Sequence, residues 1–322
     1  MAKKLFVSPS PHIKSDTTSN RIMWDVLIAL LPALLISALY FGIQSLVVCG
    51  VSVAACIFFE YAIRRFVMGE QSMGGDPSAI VTGVLLAFNL PASIPLWIVI
   101  IGAAVAIGVA KMTFGGLGCN PFNPALVGRV FLLIAYPVQM TSFPRVEGVV
   151  DSFSGATPLA SVKAGGAEAL SQINFQDMMF GSIPGSLGEV AALLLIVGGV
   201  YLLYRKVISW HIPVAVLGTM AVFAVVFGAA SGFGVVGAGE FALFHLLAGG
   251  ALLGAIYMAT DYATSPMTHG GMLIYGVGIG VITMLIRMWG AYPEGMSFAI
   301  LIMNSCVPLI NKYVKQRRFG VK

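Results

Sequence analysis

Among the residues able to do chemistry, one run stands apart: Asp151-Ser152-Phe153-Ser154-Gly155-Ala156-Thr157-Pro158-Leu159. It lies in 141–186, the longest segment that is neither strongly apolar nor terminal. Ser154, Gly155 and Ala156 are small, so their backbone can enter another enzyme's active site without steric conflict. Thr157 then offers a secondary hydroxyl that can be esterified to a phosphate. Asp151 stands three residues before Ser154, and Pro158 with Leu159 stiffens the chain beyond the hydroxyl. The same residue types are ordinary turn formers, and a surface turn accounts for the run taken alone.

Five acids lie in or beside apolar stretches: Asp25, Glu60, Asp76, Glu189 and Asp261. A charge at the centre of a bilayer costs at least about 2.5–3.5 kcal/mol, so such residues tend to be functional. Helix ends offer the plain alternative, because acids there meet water or cap an N-terminus. Asp76 precedes Pro77 and Ser78 in a capping position, and Glu60 is one turn from Arg64, an i,i+4 pair. Asp261, with Thr264 and Ser265 nearby, offers oxygens suited to a cation or a flavin edge. His211 and His245 read as packed residues, His12 as part of a solvated tail, and His269 as the one histidine worth testing for function. Neither these nor Cys49, Cys56, Cys119 and Cys306 have metal-ligand spacing, so no metal site is expected, and no catalytic set is apparent. Asn120-Pro121-Phe122-Asn123-Pro124-Ala125 reads as a turn and helix cap with Pro124 near the first helical position. Paired Asn-Pro-Ala motifs occur in water channels, but this chain has a single copy. Glycines such as Gly128, Gly249, Gly276 and Gly280 read as sites of close helix approach.

The elements that must hold these residues are membrane helices. Of 322 residues, 58% are apolar and 10% charged, and the mean hydropathy is +0.93. A soluble domain carries about 25% charged residues, which excludes that class. Apolar stretches at 22–41, 44–63, 78–91, 94–111, 124–140, 187–204, 208–228, 241–260, 270–288 and 296–311 suggest ten spans. The third is short and follows Gly74-Gly75-Asp76-Pro77, as a half-length or broken helix would. Ten spans put both termini on one side. Of the 18 basic residues, all but Arg145, Lys163 and Arg287 fall on that side when Arg129 is counted with it. That side is therefore expected to be cytoplasmic and 141–186 extracytoplasmic. The net charge of +5 is explained by this clustering rather than by nucleic-acid binding.

The expected organisation is a tail 1–21, a first half 22–140, the outer loop 141–186, a second half 187–311 and a basic tail 312–322. Gly74–Ser78 and Asp261–Gly270 are polar helix entries at corresponding places in the two halves. Five spans per half give opposite orientations, so the fold class is an all-α polytopic membrane protein with two inverted five-helix repeats. Paired interruptions of this kind mark midplane sites in transporters. They make Asp76 and Asp261 the candidates for an ion pathway.

With these residues in view, the chain resembles the RnfD/NqrB family, which holds the D subunit of the Rnf electron-transport complex and the related B subunit of the sodium-pumping NADH:quinone reductase. The family pattern D-x-x-[ST]-G-A-T-x-hydrophobic falls on Asp151, Ser154, Gly155, Ala156, Thr157 and Leu159. Gly75–Ala79, Phe114–Ala125 and Ala259–Asp261 with Ser265 also match. The resemblance implies FMN joined by its phosphate to Thr157, installed outside the cytoplasm by a flavin transferase. It further implies a bacterial cytoplasmic membrane, partner membrane and flavoprotein subunits, and ferredoxin oxidation coupled to NAD reduction with Na+ or H+ movement. A second, non-covalent flavin such as riboflavin is part of that expectation. The alternative is a secondary transporter or channel with no redox role.

Overall fold

The computed structural model describes residues 18–69, 77–144, 154–155, 157–171, 173–181, 184–189, 192–231 and 234–315. Asp76, Asp151, Ala156 and His12 lie outside the described residues. Helix α1 (Ser19–Phe41) starts where the Thr18 side chain accepts the Arg21 N–H at 3.3 Å. It ends at Gly42, whose φ of 69° turns the chain straight into α2 (Ile43–Ala62). A π-helical turn, Ile63–Val67, extends α2. The short α3 (Ser78–Phe88) comes next, then α4 (Leu96–Ala104), prolonged by π-helical Val105–Lys111 and 3-10 Met112–Phe114.

Asn123 caps α5 (Pro124–Ala135), its side chain accepting the Ala125 and Leu126 N–H groups. Pro124 occupies the first turn, where its missing N–H costs nothing. Tyr136-Pro137 interrupts the expected 124–140 span, leaving a separate α6 (Pro137–Thr141), because proline cannot continue the hydrogen-bond ladder. A two-residue pair, β1 (Phe143–Pro144) and β2 (Ser154–Gly155), precedes α7 (Pro158–Ser171) and α8 (Phe175–Phe180). In the 187–204 stretch the helix α9 covers Ala192–Tyr204, and the described residues 187–189 ahead of it are not helical. Pro184, Gly185 and Gly188 keep the preceding segment out of the helix, and Leu187 and Gly188 donate to the carbonyls of Leu90 and Phe88. The remaining helices are α10 (His211–Ala230), α11 (Gly234–Leu247), α12 (Ala251–Leu253) with π-helical Gly254–Met258, α13 (His269–Trp289) and α14 (Met296–Tyr313). Gly249 and Gly250, with φ of 67° and 63°, bend the chain by 62° between α11 and α12.

Helices overlie all ten stretches read from the sequence, but their lengths differ. Among the described residues five helices are long and apolar enough to cross a membrane, or six if the bent α11–α12 pair counts as one span. Helix α3 has 11 residues and would extend roughly 16 Å, about half a hydrocarbon core. Among the described residues the chain is a polytopic, helical membrane protein, with the β1–β2 pair as its strand content. Close approach of backbones packs it: a Cβ at Gly276 would lie 2.6 Å from Ala215 Cβ, which joins α13 to α10. Likewise Gly83 of α3 faces the Val53 backbone of α2, and Ser52 Oγ donates to the Gly83 carbonyl at 2.7 Å. Outward-facing residues such as Leu39 and Val226 are exposed and apolar, as a lipid-facing surface requires.

Candidate functional site

Polar groups collect at the two ends of α13. His269 and Arg287 on that helix are separated by roughly 27 Å along its axis. At the Arg287 end, Ser154 and Gly155 pair with Pro144 and Phe143, which fixes the chain just before Thr157. Thr157 sits at the entry to α7, where Oγ1 accepts the Ala160 N–H at 3.2 Å. The sequence suggested an exposed hydroxyl on a loop. The structure places it in a helix-capping position with only 7% of the residue exposed.

Beside α7 lies a cavity of about 230 Å³, bordered by Leu159, Lys163, Phe227, Phe241, His245 and Arg287. Arg287 is buried and donates to the carbonyls of His245 (2.5 Å), Ala248 (2.8 Å) and Gly249 (3.1 Å), so it fastens the α11–α12 bend. A Cβ at Gly249 would lie 2.8 Å from Arg287 Nη2 and 3.2 Å from Leu159 Cδ1, so α7, the bend and α13 meet there. Glu189 is buried close by, ahead of α9, with Oε2 accepting the Ser186 N–H at 3.1 Å and Oε1 unpartnered. Desolvation pushes its carboxyl above the ordinary range, opposed by Arg129, the Ser186 N–H and Arg287. Arg129 pairs with Glu294 and donates to Ser297. It thus faces this end of the bundle, not the end expected from sequence, and the basic-residue bias weakens by one residue without reversing.

At the other end, Lys111 is buried and donates to Glu60 Oε2 at 2.6 Å and Ser78 Oγ at 2.7 Å. Arg64 binds the other oxygen of Glu60 at 2.7 Å. The i,i+4 pair expected from sequence is present, but the partnership with Lys111, 51 residues away, was not legible. Ser78 and Lys111 border a second cavity of about 100 Å³ with Thr82, Asn123, Tyr257 and Asp261. Desolvation raises the Asp261 carboxyl above its ordinary range, while bonds from Ala263 N–H, Thr264 and Asn120 and the charge of Lys111 pull it down.

The remaining candidates have local explanations. Asp25 accepts from Tyr201 at 3.0 Å and pairs with Arg205 at 3.1 Å. His211 stacks between Trp210 and His269, with ring centroids at 4.2 and 4.3 Å. Among the described residues no cluster of three or more His, Cys, Asp or Glu could hold a metal. The cysteines there are free.

The family model described as the NQR2, RnfD, RnfE family matches residues 6–320. Over 319 residues the chain is 44% identical to the D subunit of the Na(+)-translocating ferredoxin:NAD(+) oxidoreductase complex of Acetobacterium woodii, covering 98% of this chain and 96% of that protein. It is 40% identical to the D subunit of the Proton-translocating ferredoxin:NAD(+) oxidoreductase complex of Clostridium ljungdahlii, covering 99% and 98%. It is 35% identical to the D subunit of the Ion-translocating oxidoreductase complex of Ectopseudomonas mendocina, covering 97% and 94%.

Proposed function

The chain belongs to the NQR2, RnfD, RnfE family, and from that premise we propose that it is a membrane subunit of an ion-translocating ferredoxin:NAD oxidoreductase complex that carries electrons through FMN esterified to Thr157. The Ser154-Gly155-Ala156-Thr157 run carries this reading: a transporter without redox chemistry has no use for an acceptor threonine there. The local geometry supports it. A phosphate on Thr157 Oγ1 would lie at the N-terminal end of α7, where the helix dipole and the Ala160 N–H, already directed at Oγ1, favour an anion. Bound FMN supplies the one-electron chemistry, and the chain fixes its position and potential. Thr157 tethers the phosphate, Pro158 starts α7 in place, and Arg287 holds the α11–α12 bend against Leu159.

In the proposed setting the chain lies in a bacterial cytoplasmic membrane, with ten spans in two inverted halves and both termini cytoplasmic. The Thr157 end then faces outward, where a flavin transferase and a flavoprotein subunit would meet it. The cavity at the opposite end supports one further assignment. Asp261, with Asp76 at the paired helix entry, is the candidate for the Na+ or H+ path, since a desolvated carboxyl changes charge with small changes in its surroundings. A second, non-covalent flavin such as riboflavin belongs to the same reading, with no residue of this cavity assigned to it. Coupling requires that electron arrival change the affinity or access of the ion site, so the two ends of α13 must have two relative states.

The test is the intact mass of the purified chain, co-expressed with a flavin transferase. The expected result is the polypeptide plus one FMN-derived phosphoester, lost in Thr157→Val while membrane insertion persists. An unmodified wild-type mass, or covalent flavin surviving in Thr157→Val, refutes the assignment.

A further inference from the structure

The cavity beside α7 has walls of three kinds. Leu159, Val162, Lys163 and Gly166 come from α7 itself, immediately downstream of Thr157. Phe227 and Phe241 supply aromatic faces, stacked on each other with centroids 6.3 Å apart. His245 and Arg287 supply nitrogen. Two nitrogens on these last residues, His245 Nε2 and Arg287 Nε, are buried without a partner.

The tautomer of His245 is set by its neighbour. Arg287 Nη1 is 3.4 Å from His245 Nδ1. A guanidinium only donates, so Nδ1 must be the acceptor and the proton sits on Nε2. The cavity is therefore bordered by two residues whose remaining N–H groups are both donors. A lipid tail would leave both unmet, which an apolar environment penalises. A ligand with acceptors along one edge of a flat aromatic body would meet them.

Resting on the reading that Thr157 carries FMN, we propose that this cavity receives the isoalloxazine ring of the tethered flavin, with His245 and Arg287 donating to its pyrimidine edge. That edge presents two carbonyl oxygens and two unprotonated ring nitrogens as acceptors, with a single N–H between the carbonyls. At about 230 Å³ the cavity is smaller than the roughly 300 Å³ from which whole-ligand pockets begin. The size suits a site that takes the ring alone while the phosphate end is fixed at Thr157. Gly166, where α7 leaves helical geometry at φ 60° and ψ −136°, presents no side chain to obstruct it. Arg287 cannot swing away, because three backbone carbonyls hold it. A fixed positive charge against the ring favours the form that has gained electrons, so this seat raises the flavin's potential.

The experiment uses the full chain, co-expressed with a flavin transferase and purified in detergent, as wild type, His245→Leu and Arg287→Lys. Intact mass reports attachment, iodide quenching of flavin fluorescence reports ring shielding, and spectroelectrochemical titration reports potential. His245→Leu leaves the Arg287 ties to Ala248 and Gly249 in place, so it is the variant expected to keep the fold, checked by its thermal midpoint in the same detergent. All three chains are expected to carry flavin, with the quenching constant rising several-fold in both variants. The potential of His245→Leu should fall by about 30 mV, the two-electron equivalent of a tenfold loss of preference for the reduced ring. Attached flavin with wild-type quenching and potential in both variants overturns the proposal and leaves Thr157 as the acceptor. Wild-type chain without attached flavin overturns both.

Discussion

Glu60 and Lys111 form one buried ion pair, yet neutralising the two partners should have unequal consequences. The pair is asymmetric. Glu60 has a second cation, Arg64, on its other oxygen at 2.7 Å, whereas Lys111 donates to Glu60 and to the uncharged Ser78 hydroxyl. The Lys111 side chain is also the better buried, at 2% exposure against 16% for Arg64. Glu60→Gln therefore strands an ammonium away from water, and losing one partner of a buried pair costs about 3–5 kcal/mol. Lys111→Met removes the ammonium itself. Glu60 keeps Arg64, and the loss is one charge-assisted bond worth about 1.5–3 kcal/mol, partly offset because an ammonium no longer has to be desolvated. The net cost of Lys111→Met is then about 1–2 kcal/mol. The double variant should cost less than the sum of the singles, because no stranded charge remains, with a coupling of about 2 kcal/mol. Unfolding of the detergent-solubilised chain in a mixed-micelle SDS titration measures all three. Lys111→Met costing as much as Glu60→Gln, or simple additivity in the double variant, would refute the argument.

Three further expectations concern the elements around the sites. Asn123→Ala removes the α5 cap and the bond from Asn123 Nδ2 to the Met258 carbonyl at 3.2 Å; together these should cost about 2 kcal/mol in the same titration. Gly276→Val inserts a side chain where even a Cβ would meet Ala215 at 2.6 Å, so α10 and α13 must separate; a loss of about 1–3 kcal/mol is expected, against a negligible change for Val at the open Gly218. Asp261 supplies a pH dependence. Its raised carboxyl binds a proton in the folded chain at pH values where the unfolded chain, near the reference of about 3.9, has lost it. Stability from this group is therefore present at low pH and falls as pH rises from the unfolded to the folded value. Asp261→Asn should flatten that part of the thermal midpoint against pH, and an unchanged slope would assign the dependence elsewhere.

The fold was legible where a local pattern controls it. Apolar stretches located the long helices, and the short 78–91 stretch announced the half-length α3. Asn123-Pro124 announced the start of α5. What failed was continuity within a stretch. Hydropathy is blind to a backbone break, so Tyr136-Pro137 and Gly249-Gly250 passed unnoticed inside runs that read as single spans. Glycines there were read as small residues easing helix contact. At Gly276 that is their role, but at Gly249 and Gly250 positive φ makes a turn.

The sites were less legible for a related reason. The candidate residues stand out by type, but their partners lie far along the chain: Glu60 with Lys111, Asp25 with Arg205, Arg287 with the carbonyls of the α11–α12 bend. Spacing along one helix reveals an i,i+4 pair such as Glu60–Arg64 and nothing of a contact made between helices. Thr157 shows the opposite failure. Its motif is fully local, yet its environment depends on α7, the bend and α13 packing together, which no local rule supplies. A tethered ligand needs both a point of attachment and a place to rest. On the proposed reading the attachment point lies in one short run, while the resting place is assembled from four separated segments, α7, α10, α11 and α13. On that reading the motif names the proposed acceptor while remaining silent about what would set the potential of the group it holds.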